Sequence, residues 1–143
     1  MTMTRQQQWM RTGAAAVMAT GALLVLGAHP ATAGLTRAFT DLVVWPFDGG
    51  QTLAASEVRV YTAISGGVLA GWGWALWLLA GEGMARAPDL TRRIWVGSVL
   101  VWFAVDSAGS LAARVPLNLV GNLAFLALLL GPVLRRAPAP ATA

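Results

Sequence analysis

The chain has 143 residues, of which 57% are hydrophobic and 11% are charged, and its net charge is +4. A soluble domain carries about 25% charged residues, so this composition excludes an ordinary cytosolic enzyme, a disordered tail and a coiled coil, and it indicates an integral membrane protein. The chain has no cysteine and one histidine, His29, which excludes disulfides, cysteine-based zinc sites and iron–sulfur clusters.

Four apolar runs set the predicted fold class, which is an all-α integral membrane bundle of four transmembrane helices. A helix needs about 20 residues to cross a hydrocarbon core of about 30 Å. The runs predict spans at about 10–28, 58–80, 94–113 and 117–134, all within one domain covering residues 1–134. The remaining residues, 135–143, predict a flexible cytoplasmic tail.

The first span has two interpretations. Arg5 and Arg11 precede its apolar stretch, and Ala31-Thr32-Ala33 is typical of a signal-peptide cleavage site. The segment is therefore either a retained transmembrane helix, which we favour, or a signal peptide that is removed from residues 1–33.

The first outer loop contains a short apolar segment that is too short to span. At helical spacing, Leu35, Phe39 and Leu42 share one face, while Arg37 and Asp41 form an i,i+4 pair on another. This pattern predicts an interfacial helix at about 35–45. It either seals the top of the bundle or docks a partner, and the candidate docking residues are Phe39, Trp45, Phe47 and Asp48.

The second span carries the densest glycine pattern of the chain. Gly67 and Gly71 form a GxxxG pair, which allows another backbone to approach closely. We expect this face to pack against another helix of the same chain. The alternatives are a homodimer interface and a binding site for a flat quinone, carotenoid or lipid. The candidate residues of this face are Gly66, Gly67, Gly71 and Gly73. Near the inner ends of spans two and three, Trp74, Trp77 and Trp95 predict an aromatic belt.

Spans three and four carry a polar cluster inside apolar sequence. Because the two helices run antiparallel across a short turn, Asp106 is predicted to pair with Asn122 and Ser110 with Asn118, and Trp102 lies on the same face one turn further. An acidic residue inside a span needs partners or a function. The cluster either clamps the hairpin by hydrogen bonds or forms an ion, proton or ligand site.

The ten basic residues are all arginines, and their distribution predicts the orientation. With both termini in the cytoplasm, seven arginines lie inside and three lie outside, as the positive-inside rule favours. The inner set is Arg5, Arg11, Arg86, Arg92, Arg93, Arg135 and Arg136, and the outer set is Arg37, Arg59 and Arg114. Because these arginines flank apolar runs rather than form a basic stripe, we expect no nucleic-acid partner.

Three stretches together resemble a group of small bacterial four-helix inner-membrane proteins of unassigned function. They are GGVLAGWGW in span two, WFAVDSAGS in span three and PLNLVGNLAF at the start of span four. The resemblance covers about residues 10–134. It implies a four-helix architecture in a bacterial inner membrane and transfers no catalytic residue.

The sequence therefore favours a non-enzymatic accessory, scaffolding or assembly subunit of a membrane complex. One alternative is a small oligomeric transporter or channel that uses Asp106, Ser110, Asn118 and Asn122, and another is a lipid- or isoprenoid-binding protein. No catalytic set, metal site or cofactor motif is found. The expected partners are the lipid bilayer and either a second copy of the chain or a larger membrane complex.

Overall fold

A computed structural model describes residues 3–134, and in this range the chain is all-helical, with 82% helix and no strand. The predicted all-α class is confirmed, while the predicted tail at 135–143 lies outside the described residues. In chain order the elements are α1 (Arg5–Leu26), α2 (Gly34–Val44), α3 (Ser56–Leu78), a π-helical turn (Leu79–Gly83, the π-turn), α4 (Met84–Arg86), α5 (Pro88–Ala112) and α6 (Pro116–Leu134).

Four helices of the described chain are long and apolar enough to cross a membrane, and they coincide with the four predicted spans. Two of them begin several residues earlier than the apolar runs indicate. Helix α1 begins at Arg5 because Thr4 and Gln7 form a reciprocal capping box. Helix α5 begins at Pro88, since proline suits the first position of a helix, where its missing N–H costs no hydrogen bond.

Helix α1 lies at the centre of the bundle, between α3 and α6, and α5 packs on α6. The contact between α1 and α3 is close because both helices have glycine where they cross. A Cβ atom added to Gly66 would lie 2.6 Å from the carbonyl oxygen of Gly21, and one added to Gly21 would lie 2.6 Å from the backbone nitrogen of Ala70. Such a contact is open to glycine alone.

The two ends of the bundle can be told apart by their hydrogen bonds. At one end, named here the terminal end, the side chain of Gln6 donates to the carbonyl oxygen of Pro132 at 2.8 Å, and that of Gln7 donates to Gly81 at 3.3 Å. At the opposite end, named the α2 end, the hydroxyl of Thr36 donates to the carbonyl oxygen of Leu23 at 2.6 Å. The first and last described residues therefore lie at the same end.

Trp95, which was predicted to belong to an aromatic belt, lies in the core. Trp95 is fully buried with Met10, Leu76 and Leu129 around it. Its indole N–H donates to the carbonyl oxygen of Leu129 at 2.9 Å. The belt prediction is wrong for Trp95, because its polar atom is satisfied by a neighbouring helix rather than by a membrane surface.

The predicted loop helix is present as α2, and polar rather than apolar residues form its buried face. Leu35 and Leu42 are exposed, whereas Thr36 and Asp41 are buried. The predicted ion pair between Arg37 and Asp41 does not form, since the ion pair found in the described residues joins Arg86 and Glu82. One carboxylate oxygen of Asp41 accepts the backbone N–H of Gly49 at 2.8 Å and so ties the following loop to α2.

Candidate functional site: a cavity with polar and aromatic walls

Five helices line a cavity of about 540 Å³, named here the central cavity. It lies between α3 on one side and α5 and α6 on the other, with α1 behind it, and α2 contributes Phe39 and Val43 at the α2 end. Most of the lining is aliphatic or aromatic. The polar residues of the lining are Thr20, Ser65, Asp106, Asn118 and Asn122.

Asn118 connects the polar residues of α5 to α6. Its side-chain amide donates to the hydroxyl of Ser110 at 2.8 Å and to a carboxylate oxygen of Asp106 at 3.3 Å. The hydroxyl of Ser110 in turn donates to the backbone carbonyl of Asp106 at 2.7 Å. Because Asp106 and Ser110 are one turn apart on α5, a single amide placed between them reaches both. The predicted contact of Ser110 with Asn118 is therefore confirmed.

The prediction that Asp106 pairs with Asn122 is wrong. Asn122 donates instead to the hydroxyl of Ser107 at 3.2 Å, and both side chains are buried. Counting residues from the turn between two antiparallel helices gives the depth of a residue, but it does not give the angular position of that residue on its helix. Ser107 follows Asp106 and was missed, although it is a polar residue in the same apolar span.

Three aromatic rings lie beside the polar residues and further from the α2 end. The ring of Trp102 lies 5.7 Å from that of Trp72, tilted by 36°, and 6.2 Å from that of Phe125, in an edge-on arrangement at 68°. Trp72 belongs to α3, so this stack joins α3 to the α5–α6 pair across the cavity. Trp102 was predicted to belong to the polar cluster, whereas no site role was predicted for Trp72 or Phe125.

The carboxyl group of Asp106 has hydrogen-bonding capacity left over. A carboxylate has two oxygens and about four acceptor positions, and within residues 3–134 the side chain accepts a single hydrogen bond, from Asn118. Asp106 lines the cavity and is only partly buried. The free acceptor positions suit a hydrogen-bond donor.

The glycines of α3 divide into two sets. Gly66 and Gly73 face α1, and a Cβ atom on Gly73 would lie 2.8 Å from the backbone nitrogen of Met18. Gly67 and Gly71 face open space, with no atom within 4 Å of an added Cβ. The predicted packing within the chain is thus made by Gly66 and Gly73, while the GxxxG pair itself takes no part in it.

The four candidate docking residues do not form one surface. Phe39 lines the central cavity. Trp45 and Phe47 are 61% and 59% exposed in the loop after α2. Asp48 is exposed too, and its carboxylate accepts the backbone N–H of Gly50 at 2.9 Å. Phe39 therefore belongs to the cavity, and the docking role of the other three stays a prediction.

No protein-family model, curated protein or solved structure matches this chain.

Proposed function

We propose that the four long helices cross a bacterial inner membrane with the terminal end in the cytoplasm. The support is their length and apolar composition and the placement of the arginines. The terminal end carries Arg5, Arg11, Arg86, Arg92 and Arg93, whereas the α2 end carries Arg37, Arg59 and Arg114. An excess of arginine favours the cytoplasmic side, and it makes α2 the helix that lies at the outer surface.

In this setting we propose that the protein binds a lipid or isoprenoid in the central cavity. The observation that carries the proposal is the arrangement of the lining: Asp106, Asn118 and Asn122 place hydrogen-bonding groups on one wall, and most of the remaining lining is apolar or aromatic. The volume of about 540 Å³ falls within the range of about 300–1,000 Å³ that is typical of small-molecule sites.

The lining defines the chemistry of the ligand. An apolar chain or ring would lie against Trp72, Trp102 and Phe125, since aromatic side chains offer large apolar contact areas. A polar group that donates a hydrogen bond, such as a hydroxyl, would meet the free acceptor positions of Asp106. Because the polar residues lie nearer the α2 end than the three rings do, the ligand would be oriented with its polar group toward the outer surface.

A role as an accessory subunit is the second candidate, and the open face of α3 favours it. Gly67 and Gly71 leave room for a neighbouring helix that the described chain does not supply. A subunit that holds a lipid between itself and a partner would combine the two roles.

A cavity-filling variant tests the proposed ligand site. Gly121 lines the cavity and has no atom within 4 Å of an added Cβ, so Gly121→Leu adds side-chain volume at the cavity wall. Gly109→Leu is the matched control, because Gly109 also faces open space but lies outside the cavity lining. Both variants and the wild type are extracted in native lipid discs, and their bound small molecules are measured by mass spectrometry.

We expect one amphipathic molecule to co-purify in near-stoichiometric amount with the wild type and with Gly109→Leu, and to be lost from Gly121→Leu. Equal retention by both variants would contradict the cavity as the site. A second protein chain that co-purifies with all three, with no enriched small molecule, would favour the accessory subunit instead.

A further inference from the structure

A second pocket, of about 560 Å³, lies at the terminal end of the bundle. It is bounded by the start of α1, the π-turn and the start of α5, and two of its lining residues are the arginines Arg11 and Arg92. Turns of π-helix inside a longer helix are rare and often occur at functional sites. This pocket is separate from the central cavity and shares no lining residue with it.

The guanidinium group of Arg11 is held in place by two contacts. Its central carbon lies 4.7 Å from the centre of the Trp77 ring, in a cation–π arrangement. It also lies against the π-turn, where a Cβ atom on Gly81 would be only 2.5 Å from Nη2. Glycine at this position therefore makes room for the guanidinium.

The positive charge of Arg11 has no anionic partner among residues 3–134. Its Nε is buried and makes no hydrogen bond, and the ion pair of the described chain is the one between Arg86 and Glu82, at 3.4 Å. Glu82 also lines the pocket, and its carboxylate forms an exposed ion pair with Arg86. A partly buried cation without an acceptor is costly, and a guanidinium offers five N–H donors.

We propose that this pocket binds the phosphate group of an anionic membrane lipid, with Arg11 and Arg92 as its cationic partners. The planar guanidinium matches the oxygens of a phosphate group in a two-point contact. Basic pockets between membrane spans on the cytoplasmic side are suited to lipid headgroups, and the excess of arginines at the terminal end supports that side. The proposal rests on the membrane placement but is independent of the ligand of the central cavity.

Charge-removing variants in discs of defined composition test this lipid site. The wild type, Arg11→Gln and Arg92→Gln are placed in discs that contain equal amounts of phosphatidylglycerol and phosphatidylcholine, and the lipids that stay bound are counted by native mass spectrometry. Arg93→Gln is the matched control, because Arg93 is the exposed neighbour of Arg92 on α5 and lies outside the pocket lining. Arg92 is exposed as well, so its variant is expected to fold even if that of Arg11 does not.

We expect the wild type and Arg93→Gln to prefer phosphatidylglycerol. Loss of either pocket arginine should lower this preference about fivefold, because the variant loses a charge-assisted hydrogen bond to the phosphate group. Arg93 lies outside the pocket lining and makes no such bond. Equal binding of the two lipids by the wild type, or the same loss in Arg93→Gln as in Arg92→Gln, would overturn the proposal.

Two further experiments complete the test. One changes the position of the Arg11 guanidinium without changing any charge, and the other distinguishes a lipid phosphate from soluble phosphate. Gly81→Ala keeps every charge but displaces the guanidinium of Arg11, so it should reduce the lipid preference, and an unchanged preference would contradict the proposed position of Arg11. Inorganic phosphate at millimolar concentration should leave the bound lipid in place. Displacement of the lipid by inorganic phosphate would overturn the lipid as the source of the phosphate group.

Discussion

At the residue scale, the junction of α5 and α6 depends on amide side chains rather than on the acid. Asn118 donates to two side chains of α5, and Asn122 donates to a third. An amide carbonyl can accept the same hydrogen bond as a carboxylate oxygen. The carboxyl group of Asp106 is therefore dispensable for holding the helices together, which leaves it available for a ligand.

We expect Asp106→Asn to leave the free energy of unfolding unchanged. Asn118→Ala should lower it by about 1 kcal/mol, because two interhelical hydrogen bonds are lost and each contributes about 0.6 kcal/mol in membranes. Stability is measured by reversible unfolding in mixed detergent micelles. Val120→Ala, at a position 61% exposed on the same helix, is the control. A loss in Asp106→Asn equal to that in Asn118→Ala would show that the acid itself holds the helices together.

Sequence could identify the polar residues of this junction but only part of their pairing. Asp106, Ser110, Asn118 and Asn122 stand out because polar side chains are rare in apolar spans. Their depth follows from counting residues from the turn. Which side of the helix each one occupies depends on how α5 and α6 cross, and for this reason the partner of Asn122 proved to be Ser107.

At the element scale, glycine decides which face of α3 meets α1. The helix is apolar on every side, so the hydrophobic periodicity that orients a helix in a soluble protein is absent. Sequence could show that α3 is rich in small residues. It could not show that Gly66 and Gly73 are the pair used, since their spacing of seven residues and the GxxxG spacing of Gly67 and Gly71 both suit close packing.

Alanine substitutions on the two faces should therefore have opposite outcomes. Gly66→Ala brings a methyl group within 2.6 Å of the backbone of α1, and such overpacking costs about 1–3 kcal/mol. Gly67→Ala adds the same methyl group in open space and should be neutral or slightly stabilising, since alanine favours helix more than glycine does. The free energy of unfolding of the two variants is the measurement, and equal effects would contradict the packing of α1 on α3.

At the scale of the whole molecule, the apolar runs were sufficient to predict four long helices in the right places. The central cavity was not predictable in this way, because it lies between α3 and α5, which are separated in the chain by the π-turn and α4. Helix α1 packs closely on α3 and also contacts α6. As a result, α3 and α5 meet mainly through Trp72 and Trp102, and the cavity lies between them. Long-range packing of this kind leaves no local pattern in the sequence.

The central claim, a four-span bundle with α2 on the outer side, is tested most directly by cysteine labelling in intact cells. The chain has no cysteine of its own, so single variants at exposed positions give an unambiguous signal. Ala85→Cys lies at the terminal end, while Thr52→Cys and Ala113→Cys lie at the α2 end. With a thiol reagent that cannot cross membranes, we predict that Thr52→Cys and Ala113→Cys are labelled in cells with an intact inner membrane and that Ala85→Cys is labelled only after the membrane is opened. Labelling of all three to the same extent in intact cells, or recovery of the protein in the soluble fraction, would contradict the claim.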